Sequence, residues 1–110
     1  MRLEIRRRNV PATAALREHI ERRILFALAR FSSRVARVTV RVSDVNGPHG
    51  GLDKQCRIMV VLRGARRVQV EDLDAGLYAV IDRAADRAGR SVGRELARDR
   101  GGPSLPATGE

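Results

Sequence analysis

Four short stretches of this chain carry apolar side chains at every second position, and two longer stretches carry them every third or fourth. Only a mixed α and β fold satisfies both periods. Leu3 and Ile5 alternate with Arg2, Glu4 and Arg6, and Val38, Val40 and Val42 alternate with Arg37, Thr39 and Arg41. Cys56, Ile58, Val60 and Leu62 face one way with Arg57, Met59, Val61 and Arg63 facing the other, and Val68 and Val70 complete the set. Period two is the pattern of a strand with one buried face. Leu16, Ile20, Ile24, Ala27 and Phe31 recur at helical spacing, as do Leu77, Ile81, Ala84, Ala88 and Val92. The order is therefore β-α-β-β-β-α. Each element has one apolar side to bury, which predicts an α+β fold, a four-stranded sheet with two helices packed on one face.

The punctuation between these stretches sets their limits. Pro11 suits a first helical turn and Thr13 a cap, so the first helix is predicted to run to about Phe31, where Ser32 and Ser33 break the pattern. The segment Asp44 to Lys54 holds Asn46, Gly47, Pro48, Gly50 and Gly51 and reads as a hairpin loop. Gly64 and Ala65 make a tight turn into the last strand. The second helix is expected from about Leu73, weakened at Gly89 and Gly93 by roughly 1 kcal/mol each relative to alanine. At 110 residues the chain has room for one compact domain, expected over residues 1–100, with a disordered tail rich in Gly and Pro at 101–110.

Charge limits the choice of partner. The chain has 22 basic against 13 acidic residues, a formal charge of +9, and every basic residue but Lys54 is arginine. Such a field attracts polyanions, and guanidinium groups form bidentate contacts with phosphate. Cys56 is the only cysteine, so neither an intrachain disulfide nor a cysteine metal cluster can form. His19 and His49 read as surface or loop residues, too few to suggest a metal site or a catalytic pair. No catalytic residue, cofactor or metal is predicted. Gly47, Gly50 and Gly51 lack the lysine and hydroxyl of a phosphate-binding loop, and the LPATG at 105–109 lacks the context of a sorting signal. The charged start and the absence of a long apolar run predict a cytoplasmic protein with no membrane partner.

Arg83, Arg87, Arg90 and Arg94 are spaced by four, three and four. At about 100° per residue they form one narrow stripe along the second helix, beside its buried face, and a phosphate backbone running along that stripe would relieve its self-repulsion. Asp82 and Asp86 are the local acids that would dilute it. Arg23, with Arg22, Arg30, Arg37 and Arg41 as secondary candidates, extends the basic surface, and Arg57 and Arg67 lie on the same sheet. The only aromatics are Phe26, Phe31 and Tyr78, with both phenylalanines in or near the apolar pattern of the first helix. Recognition is therefore expected through phosphate, sugar and shape, without base-stacking platforms.

Three local patterns, on top of the element order and the basic second helix, resemble the family of ribosome hibernation-promoting factors and ribosome-associated inhibitors. They are Asn9-Val10 followed by Ala15-Leu16-Arg17-Glu18, then Leu77-Tyr78-Ala79-Val80-Ile81-Asp82, and Asp44-Val45-Asn46-Gly47-Pro48 with Gly50-Gly51 and Asp53-Lys54. Together they span about residues 2–98, and the chain is similar to the short, single-domain form. The resemblance implies a non-enzymatic regulator of translation. Such a protein would bind the small ribosomal subunit and its rRNA in the channel of messenger and transfer RNA, compete with both, and keep ribosomes inactive under stress or in stationary phase. It places Arg87, Arg90 and Arg94 on basic positions of the family's second helix and Arg23 on one of its first, and it makes Tyr78 and Asp82 structural. Gly76 departs from the family's usual acid before the tyrosine. Two rival readings share the same charge: a general RNA- or DNA-binding module, and a regulator whose arginines dock an acidic protein.

Overall fold

The computed structural model describes residues 1–45 and 53–101, with side chains through Arg98. The described residues form β1 (Arg2–Arg8), α1 (Ala14–Leu28), a 3-10 turn (Ala29–Arg34), β2 (Val35–Asp44), β3 (Lys54–Leu62), β4 (Arg67–Asp74) and α2 (Leu77–Gly101). The strands lie side by side in sequence order, with β1 parallel to β2 and the other pairs antiparallel. A parallel pair needs a long crossover, which α1 supplies; antiparallel neighbours need only hairpins.

The predicted alternation is the observed one. Val38, Val40, Val42, Cys56, Ile58, Val60 and Leu62 are almost wholly buried, beneath Ile20, Ile24 and Leu28 of α1 and Val80, Ile81, Ala84, Ala88 and Val92 of α2. Each buried Val, Leu or Ile contributes about 1.5–3 kcal/mol of transfer free energy, so this one-sided layer holds the helices to the sheet.

Several boundaries differ from the sequence reading. α1 begins at Ala14, beyond Pro11, because Thr13 takes extended geometry and its Oγ1 accepts a hydrogen bond from the Leu16 amide at 3.1 Å. It ends at Leu28, and the turn through Phe31 is 3-10 rather than α. The second helix starts at Leu77 and not Leu73, because β4 continues to Asp74. Gly89 and Gly93 do not interrupt α2, which runs unbroken to Gly101. Gly89 lets the helices meet: a Cβ there would lie 2.8 Å from the carbonyl oxygen of Ala27. Residues 46–52 of the expected hairpin loop, His49 among them, and 102–110 of the expected tail lie outside the described residues.

The turn from β3 to β4 places both Gly64 (φ 92°) and Ala65 (φ 72°) in the left-handed region, closed by Ala65 N donating to the Leu62 carbonyl. Among the described residues, no helix is long and apolar enough to cross a membrane, and no group of acids, histidines and cysteine is placed to hold a metal ion.

Candidate nucleic-acid interface

The four-arginine stripe divides in two. Arg83 donates from Nη2 to Asp74 Oδ2 at 2.6 Å and from Nη1 to the Leu73 carbonyl at 3.2 Å, and it lies 3.5 Å from Asp72. Arg87 donates to the Glu71 carbonyl at 2.8 Å and to Asp72 Oδ2 at 3.2 Å. Both side chains therefore bend over the end of β4 and fasten the first half of α2 to the sheet. The hydrogen bond to Asp74 raises the Arg83 pKa, while the Gly76 amide, and after it Arg83, lower that of Asp74. The stripe lies beside the buried face of the unbroken α2, but its two halves meet different surroundings. Its first half is engaged by acids of β4, which no local sequence pattern pairs with it.

The second half is differently placed. Arg94 donates to Ser91 Oγ at 3.1 Å, and neither Arg90 nor Arg94 forms an ion pair among the described residues. Arg90 and Arg94 stand over the groove between α1 and α2, with Arg30 on the other wall. The Arg30 guanidinium lies 4.8 Å from the centroid of the Phe31 ring, a cation–π contact that holds it in place. The groove thus carries three arginines.

Asp82 and Asp86 do not serve the stripe. Arg23 of α1 reaches across to both, at 3.3 Å and 2.9 Å, and His19 Nε2 sits 2.6 Å from Asp82 Oδ1. Tyr78 packs against His19 with ring centroids 4.6 Å apart and the ring planes tilted by 44°. His19 is therefore a half-buried member of an interhelical seam and not a surface residue, and Arg23, Tyr78 and Asp82 share that seam. Arg22 lies on the exposed side of α1, 3.9 Å from Glu18.

Arg37 and Arg41 lie on the opposite side of the molecule, on the sheet face that the helices leave open. Strand register sets Arg6, Arg41 and Arg57 side by side across β1, β2 and β3, with Glu71 of β4 next, and sets Arg2 beside Arg37. Glu4 and Glu71 are the acids of this face, and they pair with Arg6 and Arg57. A hollow of about 440 Å³ opens beside Arg8, Arg41, Ser43, Gln55 and Arg57, and the Arg57 Nε is buried there without a hydrogen-bond partner. Sequence reasoning names Arg37, Arg41 and Arg57 but misses the arginines of β1. Arg2 and Arg6 alternate with Leu3 and Ile5, a visible signal, but their alignment with Arg37 and Arg41 depends on pairing. The lone lysine joins neither surface: Lys54 Nζ is held between Asp53 at 3.0 Å and Asp44 at 3.5 Å.

One expectation about aromatics fails. Phe26 does not belong to the apolar face of α1; it is 77% exposed at the rim of the interhelical groove.

An α+β plate with arginine surfaces on both sides, and few acids left to neutralise them among the described residues, has the character of a polyanion-binding module. The model of the family described as sigma 54 modulation protein / S30EA ribosomal protein matches residues 3–100, and the chain belongs to that family. Among solved structures, the N-terminal domain of Protein Y from Thermus thermophilus is 31% identical with a TM-score of 0.72, the match covering 86% of this chain and 99% of that one. A ribosomal subunit interface protein from Coxiella burnetii has the same fold at 16% identity and a TM-score of 0.72, covering 89% of this chain and 100% of that one. A comparison with curated protein sequences found no match.

Proposed function

We propose that this chain is a non-enzymatic regulator of translation that binds the RNA of the small ribosomal subunit in the channel used by messenger and transfer RNA. By occupying the channel it would exclude both and keep ribosomes idle under stress or in stationary phase, in the cytoplasm. The observation that carries this reading is the cluster of Arg30, Arg90 and Arg94, cations exposed on the helix side with no ion pair of their own among the described residues, in a chain of the S30EA ribosomal protein family. An uncompensated guanidinium cluster is costly to assemble unless a polyanion meets it, and phosphate offers the bidentate geometry that guanidinium favours. Arg37 and Arg41, with Arg6 and Arg57, give the protein a second basic side, so RNA walls on both sides of a channel would find cations.

Replacing Arg30, Arg90 and Arg94 together with alanine should weaken binding to purified small subunits. It should also flatten the dependence of log K on log salt by about 0.7–0.9 for each phosphate that the variant no longer neutralises. Replacing Arg83 and Arg87 should cost stability more than binding, since β4 already engages them. A triple variant that binds as tightly as the unaltered protein at every salt concentration would refute the assignment.

A further inference from the structure

Phe26 is the most exposed large apolar side chain among the described residues. Burial would have stabilised a phenylalanine, and nothing in the fold collects that gain. A single exposed apolar residue is ordinary. The surroundings of Phe26 are not. It rims a hollow of about 380 Å³ whose floor is the close approach of Ala27 and Gly89 and whose walls carry Arg30 and Arg90. The hollow continues over Gly93 into a second one bounded by Phe31 and Arg94. Arg23 covers one face of the Phe26 ring at 6.0 Å, and the high exposure of the ring leaves the other face to solvent. Asp86, the one acid lining the first hollow, is already bound by Arg23 at 2.9 Å.

The volume lies within the roughly 300–1,000 Å³ typical of small-ligand clefts. Its lining is one bare aromatic face with cations on both flanks and a neutralised acid. An aliphatic or acidic protein segment would leave either the cations or the ring unsatisfied. A nucleotide satisfies both, because a base offers a π face and its two flanking phosphates offer oxygens. The base must be unpaired, since bases inside a duplex are stacked on each other and present only edges.

We propose that Phe26 is a stacking platform for a single unpaired RNA base, with Arg30 and Arg90 holding the phosphates on either side of it. This deepens the reading of the helix side as an RNA surface and rests on it. Recognition there is by stacking as well as by charge, and the protein prefers RNA that displays a looped-out or single-stranded base.

The chain contains no tryptophan, so the Phe26→Trp variant carries a single indole at the proposed platform. The substitution is at an exposed position and leaves the core intact. Binding of a labelled single-stranded RNA, the same RNA with abasic sites, and an RNA duplex would be followed by anisotropy of the label, with indole fluorescence read in parallel. The expected result is indole quenching that tracks binding of the single strand and is absent with the abasic strand and the duplex. Phe26→Ala should weaken single-strand binding by about five- to a hundred-fold, the range for one base–aromatic stack, and leave duplex binding unchanged. Single-strand binding without quenching, or an alanine variant that binds equally well, overturns the stacking platform alone. Failure of every RNA to bind overturns the RNA surface and the platform with it.

Discussion

Gly89 and Gly93 lie one helical turn apart on the same side of α2, and alanine at each should have opposite effects. Both replacements gain about 1 kcal/mol from helix propensity, because alanine loses less backbone freedom than glycine. At Gly89 the new Cβ would sit 2.8 Å from the Ala27 carbonyl oxygen, a backbone atom of α1 that cannot move without its helix. Overpacking of that kind costs about 1–3 kcal/mol, and separating the helices would also loosen the seam that Arg23 forms with Asp82 and Asp86. At Gly93 the nearest atom is Phe31 Cζ at 3.3 Å, the far end of a side chain at the groove, which can swing aside. Gly89→Ala should therefore destabilise by up to about 2 kcal/mol and Gly93→Ala should be neutral or stabilise by up to about 1 kcal/mol. Thermal unfolding followed by circular dichroism should separate the two variants by several degrees, at about 4 °C or more per kcal/mol for a chain of this size. Equal stabilities, or a Gly89 variant more stable than the unaltered protein, would refute the claim that this glycine sets the distance between the helices.

Other consequences follow from single positions. Burial, reinforced by Asp72, pushes the Cys56 thiol up to about 12, so a thiol reagent at about pH 8 should label it only as fast as the protein unfolds, and rapid labelling of the folded protein would contradict its place in the core. Ala65 at φ 72° bears a left-handed strain that glycine removes; Ala65→Gly should stabilise by about 0.5–1 kcal/mol in urea unfolding, after allowing for the freer unfolded chain, and a loss would show that the turn is unstrained. The Asp74 pKa is lowered in the folded protein, first by the Gly76 amide and then by Arg83. Its contribution is therefore fully present above the unfolded value of about 3.9 and is lost as pH falls through the lower folded one. Asp74→Asn should make the urea midpoint less sensitive to pH between about 5 and 2, and an unchanged pH dependence would show that the contacts of Asp74 with Gly76 and Arg83 do not stabilise the fold.

The strands and the chain order of the elements were legible because a one-sided sheet writes its buried face into the sequence at period two, from Leu3 to Val70, whereas the parallel pairing of β1 with β2 emerges only from the fold. The end of β4 was not legible, because Asp72 and Asp74 stand where apolar residues would mark a strand. Their role becomes visible only when Arg83 and Arg87 meet them from α2. The stripe itself was legible, yet its division into a fastened half and a free half depends on residues remote in sequence. Asp82 and Asp86 mislead in the same way: their partners are Arg23 and His19, 63 residues away. The exposure of Phe26 is readable from spacing alone. Leu16, Ile20, Ile24 and Leu28 form the buried row in steps of four, and Phe26 stands two residues from Ile24, about 200° around the helix.

The basic surfaces are held to place this protein where messenger and transfer RNA would bind. The direct measurement is co-sedimentation with purified small ribosomal subunits over a salt series, with and without bound messenger and transfer RNA. Binding at low and moderate salt that those RNAs abolish is the predicted result. Binding that they leave unchanged would contradict occupancy of the channel, and absence of binding at moderate salt would contradict the ribosomal partner itself.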